Sequence, residues 1–122
     1  MPALSTIESF IQAVEERPHD QVIQDFYTED ASIQENQKAP RVGKKLLLIY
    51  ERAALQKADK VESKCIRPFF VEENQVVIRW QFKFYWKNQT VSEMEEVAHQ
   101  VWEGEKIKVE QFFYDPQQML PK

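Results

Sequence analysis

Glu35 is the first side chain in the sequence whose position suggests chemistry. It ends the run Ala31-Ser32-Ile33-Gln34-Glu35, which has the composition of a short β-strand. Because strand side chains alternate between two faces, Ala31, Ile33 and Glu35 share a face, and Ile33 makes that face the buried one. Glu35 is therefore either a hydrated or paired carboxylate at a strand end, or an acid/base group that faces an apolar cavity.

His99 is the second candidate for chemistry. It lies mid-strand with the same parity as Val97 and Val101, so alternation predicts that it faces a pocket with them. A histidine there could donate to an oxyanion or carry a proton near neutral pH. The alternative is a half-exposed or core histidine bonded to a neighbour. His19, His99 and Cys65 lack metal-ligand spacing, and the chain has no glycine-rich phosphate loop, so we expect no metal site and no cofactor.

Large side chains supply candidates for ligand contact. Alternation is clearest from Ile78 to Trp86, where five large side chains point one way, and this exceeds what one amphipathic helix usually covers. The excess is either tight core or the wall of an apolar pocket. Tyr50, on the apolar face of a helix, could offer a hydroxyl to that pocket, or pack in the core with its hydroxyl satisfied. The ligand-binding candidates are Tyr50, Trp80, Phe82 and Trp86.

Helices are predicted in the first half of the chain. Ser5 followed by Glu8 has the pattern of a capping box ahead of an apolar stripe, which predicts a helix to about Glu16. Pro18 ends it, because proline cannot continue the hydrogen-bond ladder. Asp20 is the expected N-cap of a short second helix.

The remaining pattern predicts one more helix and five strands. Short turns join the last four strands, so they should pair antiparallel, with the helices covering their apolar face. Met94 and Val97 cannot share a face without a bulge, and the acidic run 93–96 indicates a mostly solvated face. The expected elements are strand 31–35, a helix opened by Gly43 over about 44–58, and strands 61–73, 78–86, 90–103 and 106–114.

Composition limits the classes of function. The 122 residues suit one domain over 1–122, and the net charge of -4 is evenly mixed, which argues against a nucleic-acid partner. No apolar run is long enough to cross a membrane, and the N-terminus lacks the pattern of a secretion signal. Cys65 is alone, which excludes an internal disulfide. We therefore expect a cytoplasmic protein with no membrane partner.

Three phrases resemble a known family. "VIQDFYTEDASIQE", "RVGKKLLLIYERA" and "VWEGEKIKVEQFFYDP", in this order of elements, resemble the SnoaL-like branch of the nuclear transport factor 2-like superfamily, which includes ketosteroid isomerases and polyketide cyclases. The match spans about Ile7 to Pro116. The resemblance implies an α+β fold in which three helices from the N-terminal half wrap a curved mixed or antiparallel sheet into a cone, with a pocket inside, and commonly a homodimer.

The resemblance also implies a site. In the isomerases a carboxylate general base follows the first strand, and Glu35 is at the matching position. The family's oxyanion hole uses a tyrosine of the first helix and a protonated aspartate on a late strand. This chain departs from that pattern, because its first helix has no tyrosine and its late strand offers Val97, Ala98 and His99. The resemblance thus implies Glu35 as base, with His99 as a possible substitute for the acid.

Two classes of function follow. The first is a small proton-transfer enzyme of the isomerase or cyclase type, acting on a small apolar carbonyl compound. The second is a non-enzymatic small-ligand-binding or dimerisation module. Pocket volume and the convergence of Glu35 with His99 discriminate between them. We also expect a homodimer through the outer face of the sheet, because Tyr85, Phe112 and Tyr114 are expected there.

Overall fold

The computed structural model describes residues 1–120 and contains three α-helices and one sheet. The helices are α1 (Leu4–Glu16), α2 (His19–Phe26) and α3 (Lys44–Leu55), and a short 3-10 helix (Pro116–Met119) follows the last strand. The strands are β1 (Tyr27–Glu35), β2 (Arg41–Val42), β3 (Ala58–Glu72), β4 (Gln75–Trp86), β5 (Val91–Glu103) and β6 (Lys106–Phe113). The predicted α+β class and element order are confirmed, with the two-residue β2 as an addition between the strand 31–35 and the helix opened by Gly43.

The six strands form one mixed sheet in the order β2-β1-β6-β5-β4-β3. The strands β3 to β6 pair antiparallel in succession, as the short turns predict, whereas β1 pairs parallel with β6. The parallel pair brings Glu35 opposite Phe112. The first strand is therefore fixed beside the last one, and the sheet joins residues from both ends of the chain.

The core lies between the helices and the inner face of the sheet. Phe10 of α1 is at its centre, with ring centroids 5.5 Å from Phe26, 5.8 Å from Trp102 and 6.3 Å from Trp80. Edge-to-face contacts of this kind add to the burial of apolar area, which is the main stabilising contribution. α1 thus anchors the helical layer on β4 and β5.

Helix starts differ from the predicted caps. α1 begins at Leu4 with Ala3 as its N-cap, so Ser5 lies inside the helix. Glu8 instead forms an ion pair with Arg67 of β3 at 2.7 Å. α2 has Pro18 as its N-cap. α3 follows Gly43, as predicted, and this residue has a φ of 100°, which favours glycine.

The paired strands β5 and β6 decide which side chains face inward. β5 pairs with β4 in unbroken register, so the predicted bulge between Met94 and Val97 is absent. The register shifts between β5 and β6 instead, because Val101 pairs with Val109 and Trp102 with Ile107. One extra residue between Ile107 and Val109 reverses the alternation of β6, as β-bulges do. Residues 110, 112 and 114 therefore face inward.

Within residues 1–120, no helix is both long and apolar enough to cross a membrane. Cys65 is buried and unpaired with another cysteine.

Candidate active site

A cavity of about 540 Å³ lies between the helices and the inner face of the sheet. It is large enough for a small organic ligand, since ligand pockets start at roughly 300 Å³. The side chains of the described residues therefore leave an open pocket and do not fill this space as a tight core. The aromatic residues that line the cavity are Phe10, Tyr27, Tyr50, Trp80, Phe82, Phe84, Trp86, Phe112 and Tyr114.

The inner residues of β4 form an aromatic ladder, which we define as Trp80, Phe82, Phe84 and Trp86. The rings of Trp80 and Phe82 stack at 5.8 Å between centroids, and those of Phe84 and Trp86 at 5.0 Å. Trp86 Nε1 donates a hydrogen bond to Ser92 Oγ at 2.8 Å, which fixes the indole at the end of the ladder. The ladder presents a largely apolar wall to the cavity, and its role in binding a ligand stays a prediction.

Glu35 lines the cavity and also has two partners. Tyr114 Oη donates a hydrogen bond to Glu35 Oε1 at 2.8 Å, and Arg41 Nη2 lies 3.3 Å from Glu35 Oε2. The Arg41 guanidinium in turn stacks over the Tyr50 ring, 4.0 Å from its centroid. Glu35 is therefore a paired group at a strand end and also faces the cavity, and its role as an acid/base group stays a prediction.

Glu96 is a second cavity carboxyl, which the sequence analysis did not single out. It lies on β5 directly opposite Trp80 of β4, on the inner face of the sheet. Among residues 1–120 it makes no hydrogen bond or ion pair through its side chain. Burial, and then the charges of Glu110, Glu35 and Glu51, raise the pKa of Glu96 from 4.5 to about 8. The group therefore keeps its proton at neutral pH.

Glu110 is a third cavity carboxyl and is completely buried. Tyr27 Oη donates to Glu110 Oε1, and Gln100 Nε2 donates to Glu110 Oε2 at 2.6 Å. Trp102 Nε1 holds Gln100 in place by donating to its Oε1 at 3.0 Å. Burial raises the pKa of Glu110 to about 7, although these two hydrogen bonds act in the opposite direction. Unlike Glu96, Glu110 is fully engaged with protein donors.

A fourth carboxyl belongs to the helical side of the cavity. Glu51 of α3 lies 3.4 Å from His19 Nδ1, and Ser63 Oγ is 2.9 Å from His19 Nε2. Glu51 and His19 both line the cavity. Among the described residues no cluster of His, Cys, Asp or Glu side chains has the arrangement of a metal site.

Comparison with solved structures identifies the fold. A protein of Catenulispora acidiphila with a ketosteroid isomerase-like fold, in complex with trimethylamine, is 12% identical and superimposes with a TM-score of 0.80 over 97% of this chain and 91% of that chain. A candidate SnoaL-like polyketide cyclase from Mesorhizobium loti is 19% identical, with a TM-score of 0.76 over 93% of this chain and 100% of that one. The protein has the SnoaL-like fold.

Another structural neighbour carries a different activity. An LEH-like epoxide hydrolase from M. tuberculosis is 11% identical, with a TM-score of 0.76 over 95% of this chain and 84% of that chain. In sequence comparisons, no protein-family model matches the chain and no curated protein is significantly similar to it. The predicted resemblance is thus confirmed for the fold, and a fold of this kind supports several chemistries.

His99 does not line the cavity, so the prediction that it faces the pocket is wrong. It pairs with Val77 on the outer face of the sheet, and its Nε2 is 2.8 Å from Gln75 Oε1. The prediction took Val97 and Val101 to mark the inner face of β5. The inner face of β5 instead carries the polar residues Ser92, Glu96 and Gln100. Because polar residues usually indicate a solvated face, the sequence pattern does not identify this face as the inner one.

The other predicted residues are distributed unevenly around the cavity. Trp80 and Phe82 are buried, whereas Tyr50 lines the cavity but is 48% exposed. Phe112 and Tyr114 line the cavity, which corrects their predicted place on the outer face. The regular alternation used for that prediction ignores the register shift after Ile107, which turns both side chains inward.

Proposed function

We propose that the protein catalyses proton transfer on a small apolar carbonyl compound that binds in the cavity. One observation carries this proposal. Glu96 holds its proton at neutral pH and faces the same cavity as Glu35, which lies beside Arg41 and accepts a hydrogen bond from Tyr114. Two carboxyls whose environments differ in this way are suited to act as acid and base in one reaction.

The proposed reaction is the shift of a proton through an enol. The Glu35 carboxylate removes a proton from the carbon next to the carbonyl. The electron pair of that C–H bond forms the carbon–carbon double bond of the enol, and the π pair of the carbonyl moves to its oxygen. Glu96 donates a hydrogen bond to this oxygen and gives its proton to it as charge develops. In a β,γ-unsaturated substrate the enol is a conjugated dienol, so Glu35 returns its proton to the γ carbon and the double bond moves into conjugation. The carbonyl re-forms as the proton on oxygen returns to Glu96, which restores both groups.

The cavity supports a mainly apolar substrate. The aromatic ladder and apolar residues of the helices supply most of its lining, and a few polar groups, among them Glu35 and Glu96, lie between them. Arg41 and Tyr114 hold the Glu35 side chain from two directions, which restricts its rotation and favours a fixed geometry for proton removal. His99 has no part in this proposal.

Deuterium exchange tests the proposal. Cyclic ketones and β,γ-unsaturated ketones would be incubated in D₂O with the wild-type protein, and exchange next to the carbonyl followed by proton NMR. We expect Glu35→Gln and Glu96→Gln to lower the exchange rate by about 100-fold each. The wild-type rate should fall as pH rises through about 8, since Glu96 must be protonated. Glu95→Gln, on the exposed neighbour of Glu96, is the matched control and should retain the rate.

The non-enzymatic alternative predicts a different result. A binding module would be stabilised thermally by some of these ketones, yet would not accelerate their exchange with solvent. Protection from unfolding without exchange across the panel would therefore contradict the enzymatic proposal and favour a small-ligand-binding module.

We also propose that two copies of the protein join through the outer face of the sheet. Val97 pairs with Phe113 and Val101 with Val109 on that face, and the side chains of Val109 and Phe113 are exposed. Exposed apolar groups that lie together commonly mark an interface. These residues replace Phe112 and Tyr114 as the support for a homodimer.

Sedimentation measures the proposed assembly. At micromolar concentration the wild-type protein should sediment at twice the chain mass of 14.6 kDa. Val109→Glu should shift the population to single chains, because it places a charge in the apolar interface. Leu4→Glu, at an exposed site on α1, is the control and should leave the dimer intact. A wild-type protein that sediments as a single chain would exclude this interface.

A further inference from the structure

The carboxyls of the cavity differ in whether the protein supplies them with a partner. Glu35 is paired with Arg41, and Glu51 lies 3.4 Å from His19. Glu110 accepts hydrogen bonds from Tyr27 and Gln100 on its two oxygens. Glu96 has no such partner among residues 1–120, so no side chain of the described residues pairs directly with its charged form.

The surroundings of Glu96 add a second feature. Glu96 and Trp80 are directly opposite each other on neighbouring strands and share the inner face, where opposed side chains lie about 5 Å apart at their Cβ atoms. The rest of the aromatic ladder continues from Trp80 along the same wall. Aromatic faces attract ammonium groups, and more strongly where water is excluded. A carboxyl without a partner therefore stands beside a wall that favours cations.

We propose that the cavity binds a hydrophobic organic cation, a quaternary or tertiary ammonium compound with an apolar body. Its ammonium group lies between the Glu96 carboxylate and the aromatic ladder, and its body occupies the apolar remainder of the 540 Å³. The ligand supplies the direct ionic partner that no described side chain gives to Glu96. Binding of this kind requires no catalysis and does not rest on the proposed reaction.

Binding of a cation should expel a proton. Burial and neighbouring charges give Glu96 a pKa of about 8. The other titratable groups that line the cavity are His19, Tyr27, Glu35, Arg41, Tyr50, Glu51, Lys57, Glu110 and Tyr114. A cation selects the ionised form of Glu96, which is the minor form at pH 7 and the major form at pH 9. Its dissociation constant should therefore fall by about tenfold between these two pH values. Since the reaction proposed above needs this proton, such a cation would inhibit it.

Titration calorimetry with benzyltrimethylammonium tests the inference. At pH 7, measurements in two buffers of different ionisation enthalpy should show release of about one proton for each cation bound. Neopentylbenzene has the same shape without the charge, and its binding should be weaker and independent of pH. Glu96→Gln should abolish both the proton release and the pH dependence, whereas the control Glu95→Gln should retain them.

Several results would overturn the inference. Equal affinity for the cation at pH 7 and pH 9 would do so, as would equal affinity for the cation and its neutral isostere at pH 9. If Glu96→Gln retained the pH dependence of cation binding, another group would be responsible for it, and the proposed site at Glu96 would be rejected. If that variant does not fold, the comparison of the cation with its isostere on the wild-type protein still decides. None of these results depends on whether the protein exchanges protons with a ketone.

Discussion

Glu96→Gln should raise the free energy of unfolding by about 3 kcal/mol at pH 9 and leave it nearly unchanged at pH 4. The pKa of Glu96 is about 8 in the folded protein, against 4.5 for an ordinary glutamate. Below pH 4.5 both the folded and the unfolded chain hold the proton, so the group imposes no penalty. Between pH 4.5 and 8 the unfolded chain loses the proton while the folded protein keeps it, and the wild-type protein becomes progressively less stable. Glutamine has no proton to lose and avoids this loss.

Urea denaturation of the wild type and Glu96→Gln at pH 4 and pH 9 measures this effect. Glu95→Gln, whose side chain is exposed, serves as the control and should change stability little at either pH. Glu110, with a pKa raised to about 7 by burial, interacts with the charge of Glu96, so substitutions at the two sites should not be additive. Equal stability of Glu96→Gln and wild type at pH 9 would show that Glu96 is hydrated or paired.

Trp80→Ala should lower the free energy of unfolding by about 3 to 5 kcal/mol. Trp80 is 2% exposed, and its ring contacts Phe10 of α1 and stacks on Phe82. Removing the indole deletes its contact with Phe10, which joins α1 to β4. Because the cavity borders this position, the neighbouring rings do not move in to fill the space that the indole leaves. The sequence left open whether Trp80 belongs to the core or to the wall of the pocket. Because Trp80 is buried, we expect core packing to be its main contribution to stability.

Chemical denaturation compares Trp80→Ala with a matched variant on the outer face of the sheet. Phe113→Ala removes a ring that is 39% exposed on the outer face, and should lower the free energy of unfolding by about 1 kcal/mol or less in the single chain. Both variants should be measured at a protein concentration low enough for the protein to be a monomer. A loss at Trp80 no larger than that at Phe113 would mean that the indole mainly borders open space.

Local pattern was sufficient for the order of elements in this fold. The alternation from Ile78 to Trp86 predicts β4 and its inner face, because a strand with large side chains on one side must bury them. Pro18 and Gly43 mark the break before α2 and the start of α3, since each has a backbone restriction or freedom that acts locally. The same reasoning placed Glu35 on the face of Ile33, where the structure finds it beside the cavity. Each of these inferences concerns residues close together in the sequence.

The acid/base partners of the site depend on contacts between distant parts of the chain. Arg41 reaches Glu35 because the two-residue β2 pairs with β1, and Tyr114 reaches it because β1 lies parallel to β6. The extra residue after Ile107 reverses the alternation of β6, and no local signal in the sequence marks it. Glu96 is hidden in an acidic run that resembles a solvated surface. Its proton affinity follows from burial and from three carboxylates on other elements, so only the tertiary structure determines it.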